Sequence, residues 1–174
     1  MAELKIRTAR HTTKVAAPPK RVYQLIANVD RWPRLFDSVL AVEHIGYDGT
    51  NERVRFWGTF GERRGSWVSA RDVNPKRMWV RFRQERAAAP FASLGGLWLV
   101  VPKGSGSLVA LDHYYRVVDD NPAAARHLER TIARSSTEML DSVRVAAEAG
   151  DDAVDDRWFP LPDPAEGMEG VRLS

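Results

Sequence analysis

The chain has 174 residues, enough for one domain with a real core, and no cysteine, which excludes disulfides and thiolate chemistry. No apolar run approaches the ~18 residues of a membrane helix and the start lacks the apolar core of a secretion signal, so a cytoplasmic protein with no membrane partner is expected. Net charge is only +3, yet residues 1–118 hold 20 Lys+Arg against 10 Asp+Glu and residues 119–174 hold 6 against 13. A basic body of this kind attracts acidic partners by its long-range field, or presents a solvated arginine surface.

Residues 8–16 predict a strand, ended by Ala17-Pro18-Pro19, where the prolines favour a helix start. Val22, Leu25, Ile26 and Val29 fall at i, i+3, i+4, i+7, an amphipathic helix that stops before Trp32-Pro33. A second helical turn over 33–36 follows. From 39 to 118 the apolar period becomes two. Segments 39–47, 52–60, 64–73, 77–86, 92–101 and 107–118 read as strands, divided by Gly49, Gly61, Asn74-Pro75, Ala89-Pro90 and Gly104-Ser105-Gly106.

A long helix then opens with Asn121 as N-cap and Pro122 at its first position, and Gly150 stops it. Its inner stripe is Ala125, Leu128, Ile132, Ser136, Met139, Val143 and Ala146. One strand, two short helices, six strands and a long helix predict an α+β helix-grip fold, a seven-stranded antiparallel sheet wrapped around the C-terminal helix. Residues 1–150 are expected to form this domain. Residues 151–174, with Asp151, Asp152, Asp155, Asp156 and three prolines, read as an acidic tail or linker.

Polar residues on otherwise apolar faces mark the candidate site. At strand spacing Trp67, Ser69, Arg71 and Val73 share one face, and Ser66, Val68, Ala70 and Asp72 the other. Pattern alone leaves two readings: Arg71 projects into a cavity, or it is a surface arginine beside a half-exposed Trp67. On 77–86 Gln84 intrudes on the greasy face of Met78, Val80 and Phe82, and on the last strand His113 shares a face with Val109, Leu111, Tyr115 and Val117. An inward His113 is either a satisfied core residue or a proton-transfer group. Arg71 keeps its proton but can hold a developing oxyanion, so the pair suits chemistry at a carbonyl.

Ser135 and Ser136 interrupt the helical stripe, which leaves a cavity above the sheet or lets the helix pack closely on it. His11, His44, His113 and His127 lack metal-ligand spacing, no Gly-x-Ser-x-Gly elbow occurs, and Gly104-Ser105-Gly106-Ser107 precedes a strand; neither metal nor cofactor is expected. Arg53, Arg55, Trp57, Trp79, Arg81 and Arg83 interleave cations and aromatics as single-strand binders do, although nucleic acid is not the expected partner.

Several segments together resemble the bacterial polyketide aromatase/cyclases of the helix-grip (START and Bet v 1-like) superfamily: residues 16–36, Trp67-x-Ser69-x-Arg71, Phe82-Arg83-Gln84-Glu85, Gly95-Gly96-Leu97-Trp98 and Arg134-Ser135-Ser136. The resemblance covers about residues 10–150 and is strongest to the first domain of the two-domain members. It implies that Arg71 is the catalytic arginine, that Trp67, Ser69 and Trp98 are pocket residues, and that His113 stands where some members use a histidine. Phe82, Gln84 and Trp32 would complete the substrate wall. Two positions depart from the pattern: Val39 stands where some members have a pocket tyrosine, and Arg134-Ser135-Ser136 replaces Arg-Asn-Ser. The implied activity is first-ring aldol cyclisation and aromatisation of a poly-β-ketone delivered by an acyl carrier protein, alone or paired with a second aromatase/cyclase domain or a second copy of the chain. The competing class is a non-catalytic lipid or small-molecule binding protein, since one fold serves both.

Overall fold

The computed structural model describes residues 3–48 and 51–150, so the predicted tail at 151–174 lies outside the described residues. Period-two segments become β1 (Arg7–Val15), β2 (Val39–Asp48), β3 (Asn51–Phe60), β4 (Arg63–Asn74), β5 (Trp79–Gln84), β6 (Phe91–Lys103) and β7 (Gly106–Val117). They form one antiparallel sheet in the order β1-β7-β6-β5-β4-β3-β2. β2 to β7 are the predicted meander. β1 closes against β7 at the far edge because α1 (Pro19–Ala27) and α2 (Trp32–Leu35) carry the chain across before β2 begins.

The first helix ends a turn earlier than its apolar spacing predicts. Asn28 is extended (φ −87°, ψ 93°) and its side chain accepts from the Asp30 N–H, starting a 3-10 turn over Val29–Arg31 that still buries Val29. β5 is likewise shorter than 77–86. Asn74 Oδ1 accepts from the Arg77 N–H, and Met78 takes a left-handed φ of 54°, which holds the preceding turn out of the ladder.

The long helix α3 (Pro122–Glu148) spans ~40 Å at 1.5 Å per residue and lies over the sheet. Its buried stripe is Ala125, Leu128, Thr131, Ile132, Ser136, Leu140, Val143 and Ala147. Leu140 and Ala147 take the fully buried places, whereas the expected Met139 and Ala146 are partly buried at the edge of the larger core, Met139 also lining a cavity. Asn121 caps the helix as predicted, its Oδ1 accepting from the Ala124 N–H at 2.9 Å. Asn121→Ala is expected to destabilise the domain by about 1 kcal/mol, read as a lower urea midpoint at unchanged m-value.

Two apolar clusters fill the space under the helix. The larger joins Val22, Ile26, Trp98, Leu111 and Val143; the smaller, at the other end, joins Phe91, Tyr115, Val117, Leu128 and Ile132. The cavity described next draws its wall from both.

Candidate active site

Side-chain alternation decides what faces the helix. On β4 it turns Trp67, Ser69 and Arg71 inward, on β5 Phe82 and Gln84, on β6 Trp98 and on β7 His113; Trp32 comes from α2. All eight residues singled out from the sequence line one cavity of about 90 Å³ open to the centre of a water molecule. Its wall is aromatic. Trp32 stacks on Phe56 with ring centroids 5.1 Å apart, Phe56 on Trp67 at 5.9 Å, and Trp98 lies 6.5 Å from Trp32 at a steep angle. Gly96 is needed for this arrangement, since a Cβ there would lie 2.4 Å from the Phe82 ring, which stands edge-on to His113 at 5.8 Å.

Arg71 is a cavity residue, not a surface one: it is 1 % exposed. Its Nη1 donates to Glu52 Oε1 at 2.6 Å and to the Ala27 carbonyl at 3.3 Å, and its Nη2 to the Ile26 carbonyl at 3.0 Å. The guanidinium also lies over the Trp32 ring, 5.3 Å from its centroid. These contacts have one electrostatic logic. The last carbonyls of α1 carry the negative end of the helix dipole, and Glu52 adds a full negative charge, so a cation sits where the field wants one. Burial disfavours the Arg71 charge, and the Glu52 carboxylate opposes that effect. Three of the five N–H groups serve these bonds, which leaves two for a bound oxygen.

His113 is 7 % exposed, and its Nδ1 is buried without a hydrogen-bond partner. Burial pushes its pKa down to about 4; the neighbouring His11 adds to this and Asp112 opposes it. The ring is therefore neutral at pH 7. It is also a weaker base than the near-neutral group that the sequence suggests, and serves best as a neutral donor and acceptor.

The two serines of α3 divide the two readings between them. Ser135 lines the cavity, whereas Ser136 is fully buried on the stripe of α3 with its Oγ unpartnered. Glu52 is the functional neighbour that motif reading misses. Its signal is the alternation that places it inward with Val54 and Phe56. A second chamber of about 430 Å³ adjoins the cavity and shares Phe60, Trp67, Gln84 and Leu94 with it; the β3–β4 turn, residues 88–91 and the first half of α3 form its rim. Among the described residues no cluster of His, Asp or Glu has the makings of a metal site, and no helix is long and apolar enough to cross a membrane.

An antiparallel sheet gripping a long helix around a walled cavity defines a helix-grip fold with an internal cavity. Residues 15–144 match the family described as "Polyketide cyclase / dehydrase and lipid transport", and the chain belongs to that family. It is 36 % identical over 165 residues to the granaticin polyketide synthase bifunctional cyclase/dehydratase of Streptomyces violaceoruber, covering 93 % of this chain and 51 % of that protein. Among solved structures it is similar to the di-domain ARO/CYC BexL from the BE-7585A biosynthetic pathway (33 % identity, TM-score 0.72, 80 % of this chain and 45 % of that one). It is also similar to the Zhui aromatase/cyclase from Streptomyces sp. R1128 (25 % identity, TM-score 0.75, 83 % of this chain and 94 % of that one). The chain spans about half the length of the curated relatives it matches.

Proposed function

We propose that residues 1–150 form an aromatase/cyclase domain that closes and dehydrates the first ring of a poly-β-ketone held as a thioester on an acyl carrier protein. The observation that carries this reading is Arg71, a permanent cation buried in an aromatic cavity with donors to spare. Beyond its bonds to Glu52 and the end of α1, such a group stabilises charge that develops on a bound oxygen. The aromatic surfaces fold the flexible chain so that one enol carbon meets one ketone, which turns many competing closures into one by orientation.

In the aldol step the enol carbon bonds to the ketone carbon, the carbonyl π pair moves to oxygen, and Arg71 holds that alkoxide until it takes a proton. Loss of the hydroxyl as water, with a proton from the adjacent carbon, and enolisation of the remaining ketones make the ring aromatic. His113, or a water it orders, passes those protons; Ser69 and Gln84 position the substrate oxygens. Residues 151–174 serve as an acidic tail or as a linker, and the greater length of the relatives supports the linker reading.

The lipid-binding reading stays in view because the wall is so largely apolar. Native mass spectrometry separates the two: the cyclase reading expects an empty cavity and turnover of a carrier-bound poly-β-ketone to an aromatic product. A stable co-purifying hydrophobe with no turnover would decide for a binding protein.

A further inference from the structure

On the opposite face of the same strands lies a solvent-open groove of about 800 Å³. Arg53, Ala70, Arg83, Gly95 and Tyr114 are successive cross-strand partners, so they form one row across five strands. Ala70 and Gly95 make the floor low. A Cβ on Gly95 would come within 3.0 Å of the Phe82 carbonyl oxygen, so the close approach of β5 keeps a side chain out of that place. Arg81 and Arg116 complete the walls.

The charge in this groove is uneven. Arg53 pairs with Glu85 and Arg81 with Asp72, whereas among the described residues no ion pair engages Arg83 or Arg116. Four arginines against two acids leave the groove two charges positive. It also borders the same strand ends as the chamber: Gln84 and Leu94 line both the groove and the 430 Å³ chamber, and Ala87 and Ala88 of the β5–β6 turn line one each.

We infer that this outer-face groove docks an acidic surface of the carrier protein, with Arg83 and Arg116 as its steering cations and the β5–β6 turn as the edge over which the tethered chain reaches the chamber. The inference rests on the proposed carrier-bound substrate and adds where the carrier sits. Complementary charge of this kind steers encounter and sets register more than it adds net affinity, and it fades with salt. Interleaved arginines and aromatics also suit single-stranded nucleic acid. The edge shared with the chamber at the β5–β6 turn favours the carrier.

The test uses the full chain and a phosphopantetheinylated carrier protein. Arg83→Glu with Arg116→Glu is expected to raise the carrier Kd on the order of tenfold at low salt and to flatten its salt dependence. Lys103→Glu, at the distant β6–β7 turn, should leave both unchanged. Turnover of a poly-β-ketone thioester on a short synthetic thiol should be the same in the double variant and the parent, which shows that the cavity is intact.

An unmoved carrier Kd with thioester turnover retained would overturn the docking site and leave the proposed function standing. No turnover of either substrate by the parent protein would overturn both. Loss of single-stranded oligonucleotide affinity in the double variant, with carrier affinity unmoved, would assign the groove to nucleic acid and likewise overturn it.

Discussion

Arg71→Leu is expected to cut formation of the first-ring aromatic product by on the order of 10²- to 10³-fold and to weaken the fold at the same time. The catalytic loss follows from removing, among the described residues, the only donor in the cavity wall that carries a permanent charge. The stability loss has a different origin. Leucine leaves the Glu52 carboxylate and the carbonyls of Ile26 and Ala27 facing an apolar side chain, and breaking a buried pair from one side costs about 3–5 kcal/mol. A single variant therefore mixes two effects. Arg71→Leu with Glu52→Leu removes both charges and should recover part of the lost stability, because no carboxylate is left unpaired, while product formation stays lost. Product formation that returns with stability in the double variant would reduce Arg71 to a helix cap. Melting temperature and product yield from a reconstituted minimal synthase read the two effects separately.

The legible part of this site was the part that depends on local period. Alternation alone placed Trp67, Ser69 and Arg71 on one face and His113 with Leu111 and Tyr115, because a strand has only two sides. What alternation could not say was which side is buried, since that is set by the helix laid over the sheet. The partners of Arg71 were out of reach for a related reason. Ile26 and Ala27 lie 45 and 44 residues away in sequence, and Glu52 meets it through strand register, which a one-residue slip would reverse. β2 is bulged twice against β3, between Val39 and Ala41 and between His44 and Gly46, and nothing in its composition announces where. The early end of α1 at Asn28 is a local competition: a side-chain oxygen that can cap a new turn outweighs one more apolar match at Val29. The pKa of His113 was the least accessible quantity. It depends on the whole shell of packing around the ring, and burial makes it a poorer base than a free histidine.

His113→Phe is expected to remove an acid-labile element of the fold and to slow ring formation. The unfolded chain binds a proton at His113 near pH 6.5, whereas the folded protein does so only near pH 4. Above pH 6.5 both states are neutral at this ring and its contribution is fully present. As pH falls from 6.5 towards 4 the unfolded state takes the proton first, so stability is lost across that window, and below about 4 both states are protonated and no more is lost. The difference is about 3 kcal/mol at most, from ~1.4 kcal/mol for each pKa unit. In a domain of this size that corresponds to about 10 °C in melting temperature. Melting curves at pH 7 and pH 4.5 should therefore lie farther apart for the parent than for His113→Phe, and equal separation would mean that the ring is not buried neutral. Phenylalanine keeps the edge-on contact with Phe82, so the variant tests proton transfer rather than packing. Loss of a positioned proton carrier costs about 10²-fold or more. Because the ring stays neutral down to pH 4, the parent's rate between pH 5 and 8 should show no inflection from this group. An inflection near 6.5 that disappears in His113→Phe would mean that His113 titrates as a free histidine, and would replace the neutral relay with an ordinary general base.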